Sequence, residues 1–181
     1  MRIYIDIDDT LAGFRQHAIA NGVPAWSGSW YTTDKALWTD EQRRTQDMTN
    51  DLMRNEDFWM SIPVLPRAHE LIAAASFHGP VTLLTALPSS FVGDNALLAM
   101  VRRAKIRYAW QQLHVPPERV EVCVRAEKVR YAFDHFSKMA CVLIDDAKAT
   151  CDEWENAGGV AFHVEHAENG LHEAIDFIKC L

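Results

Sequence analysis

Short apolar runs, set apart by stretches long enough to hold a helix, decide what this chain can fold into. Residues 2–8 (RIYIDID), 80–85 (PVTLLT), 119–124 (RVEVCV) and 140–144 (ACVLI) read as strands, and 158–164 (GGVAFHV) reads as a fifth. Their apolar residues are nearly continuous, which suits strands covered on both faces, as in a parallel sheet. A helical pattern follows each of the first four runs. The alternation predicts an α/β fold, a Rossmann-like parallel sheet flanked by helices. At 181 residues, 49% of them hydrophobic, the chain is long enough for one buried core and a modest insertion.

The helices have readable ends. LPRAHELIAAASFHG (65–79) places Pro66 where a first turn tolerates it and Gly79 just past the last turn. The segment 95–113 keeps Leu97, Leu98, Val101, Ile106, Ala109, Trp110 and Leu113 near one face, so Arg102, Arg103, Lys105 and Arg107 read as its solvated face. Residues 14–60 differ in character: polar, with Phe14, Trp26, Trp30, Tyr31, Trp38, Phe58 and Trp59 scattered through them. No strand run occurs there, and a helix capped by Thr33 or Asp34 is expected. This predicts an α/β core of residues 1–13 and 66–181, with a small helical cap, 14–65, inserted after the first strand.

A formal charge of −7 argues against an unaided partner for duplex nucleic acid or an anionic membrane, since both require a positive field. Cys123, Cys141, Cys151 and Cys180 lack metal-binding spacing. Cys123 and Cys141 fall in apolar runs and read as buried free thiols. With a strand beginning at Arg2, no signal peptide is expected, and no apolar run approaches a membrane span. A reducing, cytoplasmic setting follows. The oligomeric state stays open, a homodimer included.

Chemistry concentrates where the first strand ends, in YIDIDDTL (4–11). Side chains two apart on a strand point the same way, so Asp6 and Asp8 project together. Two carboxylates about 4 Å apart repel by roughly 4 kcal/mol at an effective dielectric near 20, and a bound cation is the usual reason to hold them together. Ligands of open parallel sheets bind at the carboxyl ends of the strands. Those ends carry Asp6, Asp8, Asp9 and Thr10, then Thr85, then Lys128 beyond the third, then Asp145 and Asp146. Each has an ordinary reading too. Asp9 and Thr10 could cap a helix starting near Leu11, Asp145 and Asp146 one starting near Ala147; Thr85 could be a plain strand end and Lys128 a solvated side chain.

In that order, DIDDT (6–10), LLT (83–85), Lys128 and LIDD (143–146) resemble the four motifs of the haloacid dehalogenase superfamily of phosphatases. The resemblance implies that Asp6 attacks phosphorus to form an aspartyl-phosphate, and that Asp8 protonates the leaving oxygen and then activates water. Thr85 and Lys128 would hold the phosphoryl group. Asp6, the Asp8 backbone carbonyl and one of Asp145 or Asp146, with Asp146 favoured, would hold Mg²⁺. The family often has Gly where Asp9 stands.

Within the superfamily the chain most resembles the 5'(3')-deoxyribonucleotidases, through DIDDTLAGF (6–14), FWMSIPVLPRAHE (58–70) and VLIDDAKAT (142–150). A nucleoside monophosphate is the substrate this implies. Phe14, Phe58 and Trp59 are candidates to stack on a base, whereas Trp26, Trp30 and Trp38 read as the core of the cap. Ala86, also a candidate substrate contact, stands where those relatives carry a hydroxyl, and Ala126 stands where they carry an arginine. A sugar phosphate or other small phosphorylated metabolite is the rival substrate. A non-catalytic Mg²⁺-dependent binding module is the rival from another class.

Overall fold

The computed structural model describes residues 1–25, 36, 38–165 and 167–181. Its strands are β1 (Ile3–Ile5), β2 (Val81–Ala86), β3 (Val120–Cys123), β4 (Phe133–Asp134), β5 (Met139–Ala140), β6 (Val142–Asp145) and β7 (Val160–His163). Five of them form one sheet in the order β3-β2-β1-β6-β7, every pair parallel. In register, Ile5 lies beside Leu83 of β2 and Ile144 of β6. Ile3, Ile5, Leu83 and Ile144 enter the larger core on one face, while Tyr4, Leu84 and Leu143 meet Trp154 on the other. Burial on both faces is why these strands read as unbroken apolar runs.

The helices are α1 (Phe14–Ala20), α2 (Asp40–Met53), α3 (Glu56–Met60), α4 (Ala68–His78), α5 (Asn95–Leu113), α6 (Lys148–Asn156) and α7 (Ala167–Lys179). One crossover departs from the expected alternation. Between β3 and β6 the chain forms a 3-10 turn over Arg125–Tyr131 and then the antiparallel hairpin of β4 and β5, with no α-helix. Asp134 closes the hairpin by accepting the N–H groups of Phe136 and Ser137, and Lys138 adopts φ 58. Local turn chemistry there overrides the helical pattern.

Between β1 and β2, α2 is opened by Thr39, whose hydroxyl accepts the Gln42 N–H while the Gln42 side chain accepts that of Thr39. The cap expected at Thr33 or Asp34 lies outside the described residues, as do Trp26, Trp30 and Tyr31. Trp38 is buried. On α5, Trp110 is 53% exposed rather than on the buried face. Among the described residues no helix is long and apolar enough to cross a membrane.

Gly79 ends α4 where the chain passes Met1: a Cβ there would sit 2.2 Å from the Met1 carbonyl oxygen. Backbone cannot swing aside as a side-chain tip can, so Gly79→Ala should cost roughly 1–3 kcal/mol, read as a lower thermal midpoint. An unchanged midpoint would mean that the amino terminus peels away at little cost.

Candidate functional site

Because the chain winds from β1 outward to β3 and then returns to β6 on the far side, a crevice opens at the carboxyl end of β1. Asp6 leaves β1 with its N–H donated to the Ile144 carbonyl at 2.9 Å, which fixes it beside β6. A tight turn follows, with the Leu11 and Ala12 N–H groups both given to Ile7 O. Asp9 occupies this turn at φ 54, a left-handed conformation that Gly adopts freely and Asp tolerates. Its carboxylate accepts the Arg15 N–H at 2.8 Å, near the start of α1. Thr10 does not cap that helix. Its buried hydroxyl accepts the Asp146 N–H at 3.1 Å, tying the β1 turn to the end of β6.

Two buried lysines meet this acidic group from opposite sides. Lys128, on the 3-10 turn after β3, is 3% exposed; its Nζ donates to Asp6 Oδ1 at 2.6 Å and to Asp145 Oδ2 at 2.7 Å. Burial opposes its charge, but Asp145 and Asp6 outweigh that and raise its ammonium above the ordinary lysine range. Lys105, on α5, is 2% exposed, and its Nζ donates to Asp8 Oδ2 and, at 2.8 Å, to Thr85 Oγ1 at the end of β2. The same ammonium lies 5.0 Å from the centre of the Trp59 ring.

The balance of charge is acidic. Burial pushes the Asp6 carboxyl up to about 7, against the pull of Lys128 and with Asp145 and Asp8 adding to it. Burial also raises Asp146 well above the usual carboxylate range, helped by Asp145 and Asp6. Oxygens of Asp6, Asp145 and Asp146 all lie within 4.8 Å of one another. Three converging hard donors, short of positive charge, fit a divalent cation such as Mg²⁺.

Above these groups is a cavity of about 390 Å³. Asp6, Asp8, Lys105, Lys128, Asp145 and Asp146 form its floor. Gln46, Thr49 and Met53 of α2 line it, as do Ala86 at the end of β2, Ser89 beyond it and Arg125 after β3.

Comparison with protein-family models and with curated protein sequences finds no match. Solved structures match over nearly the whole chain. A hydrolase from Streptococcus pneumoniae TIGR4 aligns with a TM-score of 0.52 at 10% identity, covering 97% of each chain. A HAD-superfamily hydrolase of subfamily IA from Geobacter sulfurreducens PCA gives 0.51 at 11% identity, over 98% of this chain and 95% of that one. A haloacid dehalogenase-like family hydrolase from Xanthomonas campestris gives 0.50 at 13%, over 100% and 98%. The fold is haloacid dehalogenase-like.

On this haloacid dehalogenase-like frame the residues singled out from sequence divide clearly. Asp6, Asp8, Lys128, Asp145 and Asp146 surround one cavity, and Thr85 joins them through Lys105. The aromatic candidates separate. Phe14 lines the cavity and packs edge-on to Phe58 at 5.6 Å. Phe58 is not on the cavity wall; it is buried between Phe14, Trp59 and His17. Trp59 reaches the wall but is 2% exposed, its ring covered by Lys105 and its Nε1 donated to Met53 O. Apolar packing claims the two adjacent aromatics, so neither offers an open face to a base.

Lys105 corrects the reading of α5. Arg102, Arg103 and Arg107 are exposed as expected, but Lys105 points into the protein. Its neighbours at helical spacing gave the signal: Val101, Tyr108 and Ala109, at −4, +3 and +4, are all buried, which puts Lys105 on the apolar stripe.

Proposed function

We propose that the protein is a Mg²⁺-dependent phosphomonoesterase working through an aspartyl-phosphate, with a nucleoside monophosphate as its first candidate substrate. One observation carries the reading: Asp6, with Asp8 two residues on, shares a cavity with Lys128 and with the carboxylates of Asp145 and Asp146, which converge with its own. In the proposed reaction an Asp6 carboxylate oxygen bonds to phosphorus as the ester P–O bond breaks. The leaving oxygen takes a proton from Asp8. Water then attacks phosphorus, giving its proton back to Asp8, and the Asp6–phosphorus link breaks to release phosphate.

Lys128 would hold the phosphoryl group by charge, and Thr85 by its hydroxyl. A Mg²⁺ ion held by Asp6, the Asp8 carbonyl and Asp146 would offset the charge that a phosphate dianion brings to these acids. Asp145 is less available, since Oδ2 accepts Lys128 and Oδ1 accepts the Ala147 N–H. Residues 14–65 would form a cap that closes the cavity through α2.

Two carboxylates in the floor favour catalysis over a module that only binds phosphate, which gains little from Asp8. The substrate is tested by phosphate release from nucleoside monophosphates and sugar phosphates side by side. Stacking is worth roughly 1–3 kcal/mol per base, so Phe14→Ala should raise KM for nucleotides about tenfold and leave sugar phosphates unchanged. The burial of Phe58 and Trp59 favours a second reading, a smaller phosphorylated metabolite. Turnover confined to sugar phosphates, indifferent to Phe14, would select it.

A further inference from the structure

We propose that Lys105 is a positioning residue that sets Asp8 and Thr85 for their separate tasks; this rests on the phosphomonoesterase reading above. A lysine ammonium donates hydrogen bonds and accepts none. Its two partners here belong to opposite ends of the bond to be broken, Asp8 on the leaving-group side and Thr85 on the phosphoryl side. One ammonium therefore fixes the distance between them.

The direction of each bond adds more than distance. Because Lys105 donates to Asp8 Oδ2, that oxygen must act as acceptor, and a proton that Asp8 carries for the leaving group is directed to Oδ1. Because Lys105 also donates to Thr85 Oγ1, the hydroxyl has one lone pair occupied and its own hydrogen is left to give to a phosphoryl oxygen. Thr85 thus has its hydrogen left for the substrate, and Asp8 has Oδ1 left to handle the leaving-group proton.

The setting keeps these bonds in place. Ile7, Trp59, Ile62 and Tyr108 surround the Lys105–Asp8 pair beneath the cavity, and the Trp59 ring covers the ammonium. The ammonium, 2% exposed, is shielded from the water that competes for an exposed lysine's bonds, while Asp8, 22% exposed, also lines the cavity. Trp59, a stacking candidate by sequence, serves here as a wall for Lys105.

The test compares Lys105→Met, Asp8→Asn, the double variant and Asp6→Asn on two substrates, p-nitrophenyl phosphate and a simple alkyl phosphate. An alkoxide needs protonation to leave, whereas p-nitrophenolate does not. Positioned proton transfer contributes about 10²–10⁴-fold, so Lys105→Met should lower kcat on the alkyl ester about a hundredfold with KM nearly unchanged, and lower it far less on the aryl ester. Residues acting as a unit are non-additive, so the double variant should be slower than Asp8→Asn by no more than the smaller loss that Lys105→Met shows on the aryl ester, the share carried by Thr85. That comparison also holds if Lys105→Met alone folds poorly, because the double variant leaves no unpaired carboxylate at Asp8.

Equal losses on both esters, a loss carried by KM, or a double variant slower by the product of the single losses would overturn the assignment. If wild type shows no turnover that Asp6→Asn abolishes, the phosphomonoesterase reading falls and takes this assignment with it. Asp6-dependent turnover with an additive double variant removes the role of Lys105 alone.

Discussion

Asp6→Asn is expected to abolish phosphate release, by roughly 10⁴-fold or more, the scale seen when a covalent nucleophile is removed. The loss should come without unfolding. Asn keeps the shape of the side chain while removing a buried charge whose desolvation lifts the Asp6 carboxyl to about 7. Lys128 retains Asp145 as its partner at 2.7 Å. The metal-free variant should therefore melt no lower than wild type. Parallel rate and melting measurements separate the cases: an inactive but unfolded protein would implicate the Lys128 network, and normal turnover would remove Asp6 from the chemistry.

The second large effect concerns the cation. Excess EDTA should remove activity and Mg²⁺ restore it, since among the described residues the four carboxylates of Asp6, Asp8, Asp145 and Asp146 are paired with two ammonium groups, Lys105 and Lys128. Stability should respond with a definite sign. Burial raises Asp6 to about 7 and Asp9 to about 6, and it raises Asp146 as well, so the folded protein holds protons that the unfolded chain has released. For such groups the metal-free fold is most stable below the ordinary carboxylate range, near pH 4, and loses stability as pH rises through the folded values, about 6 to 7. A bound cation prefers the ionised acids and works against that loss. Mg²⁺ should thus raise the melting temperature more at about pH 8 than at about pH 5. The same shift at both would place the ion away from these carboxylates.

Much of the frame was legible in the sequence because burial on both faces writes strands as apolar runs. Each of the five runs overlaps a strand of the sheet, and the parallel order brings their ends together. Asp6, Asp8, Asp145 and Asp146 were legible for a related reason: acids directly after an apolar run stand out. Lys128 needed the ordered motif set, since a single lysine in RAEKVR looks solvated.

What escaped notice depended on contacts between distant segments. Lys105 sits among arginines in sequence, and only its helical phase with Val101 and Tyr108 betrays its burial. Its partners are 97 and 20 residues away. Phe58 and Phe14 are both aromatics of the stretch between β1 and β2; nothing local says that one packs inward while the other meets the cavity. Thr10 follows two aspartates and looks like a helix cap, yet its partner is the Asp146 N–H. The hairpin after β3 was hidden because a two-residue strand has no period to read.

The most direct test of the central claim is to trap the intermediate. Enzyme mixed with Mg²⁺ and a radiolabelled phosphomonoester that it turns over, then quenched in acid, should carry label that survives denaturation and is released by hydroxylamine, as an acyl phosphate must be. Asp6→Asn should carry none. Turnover without label on the protein, or label that persists in Asp6→Asn, would contradict the account.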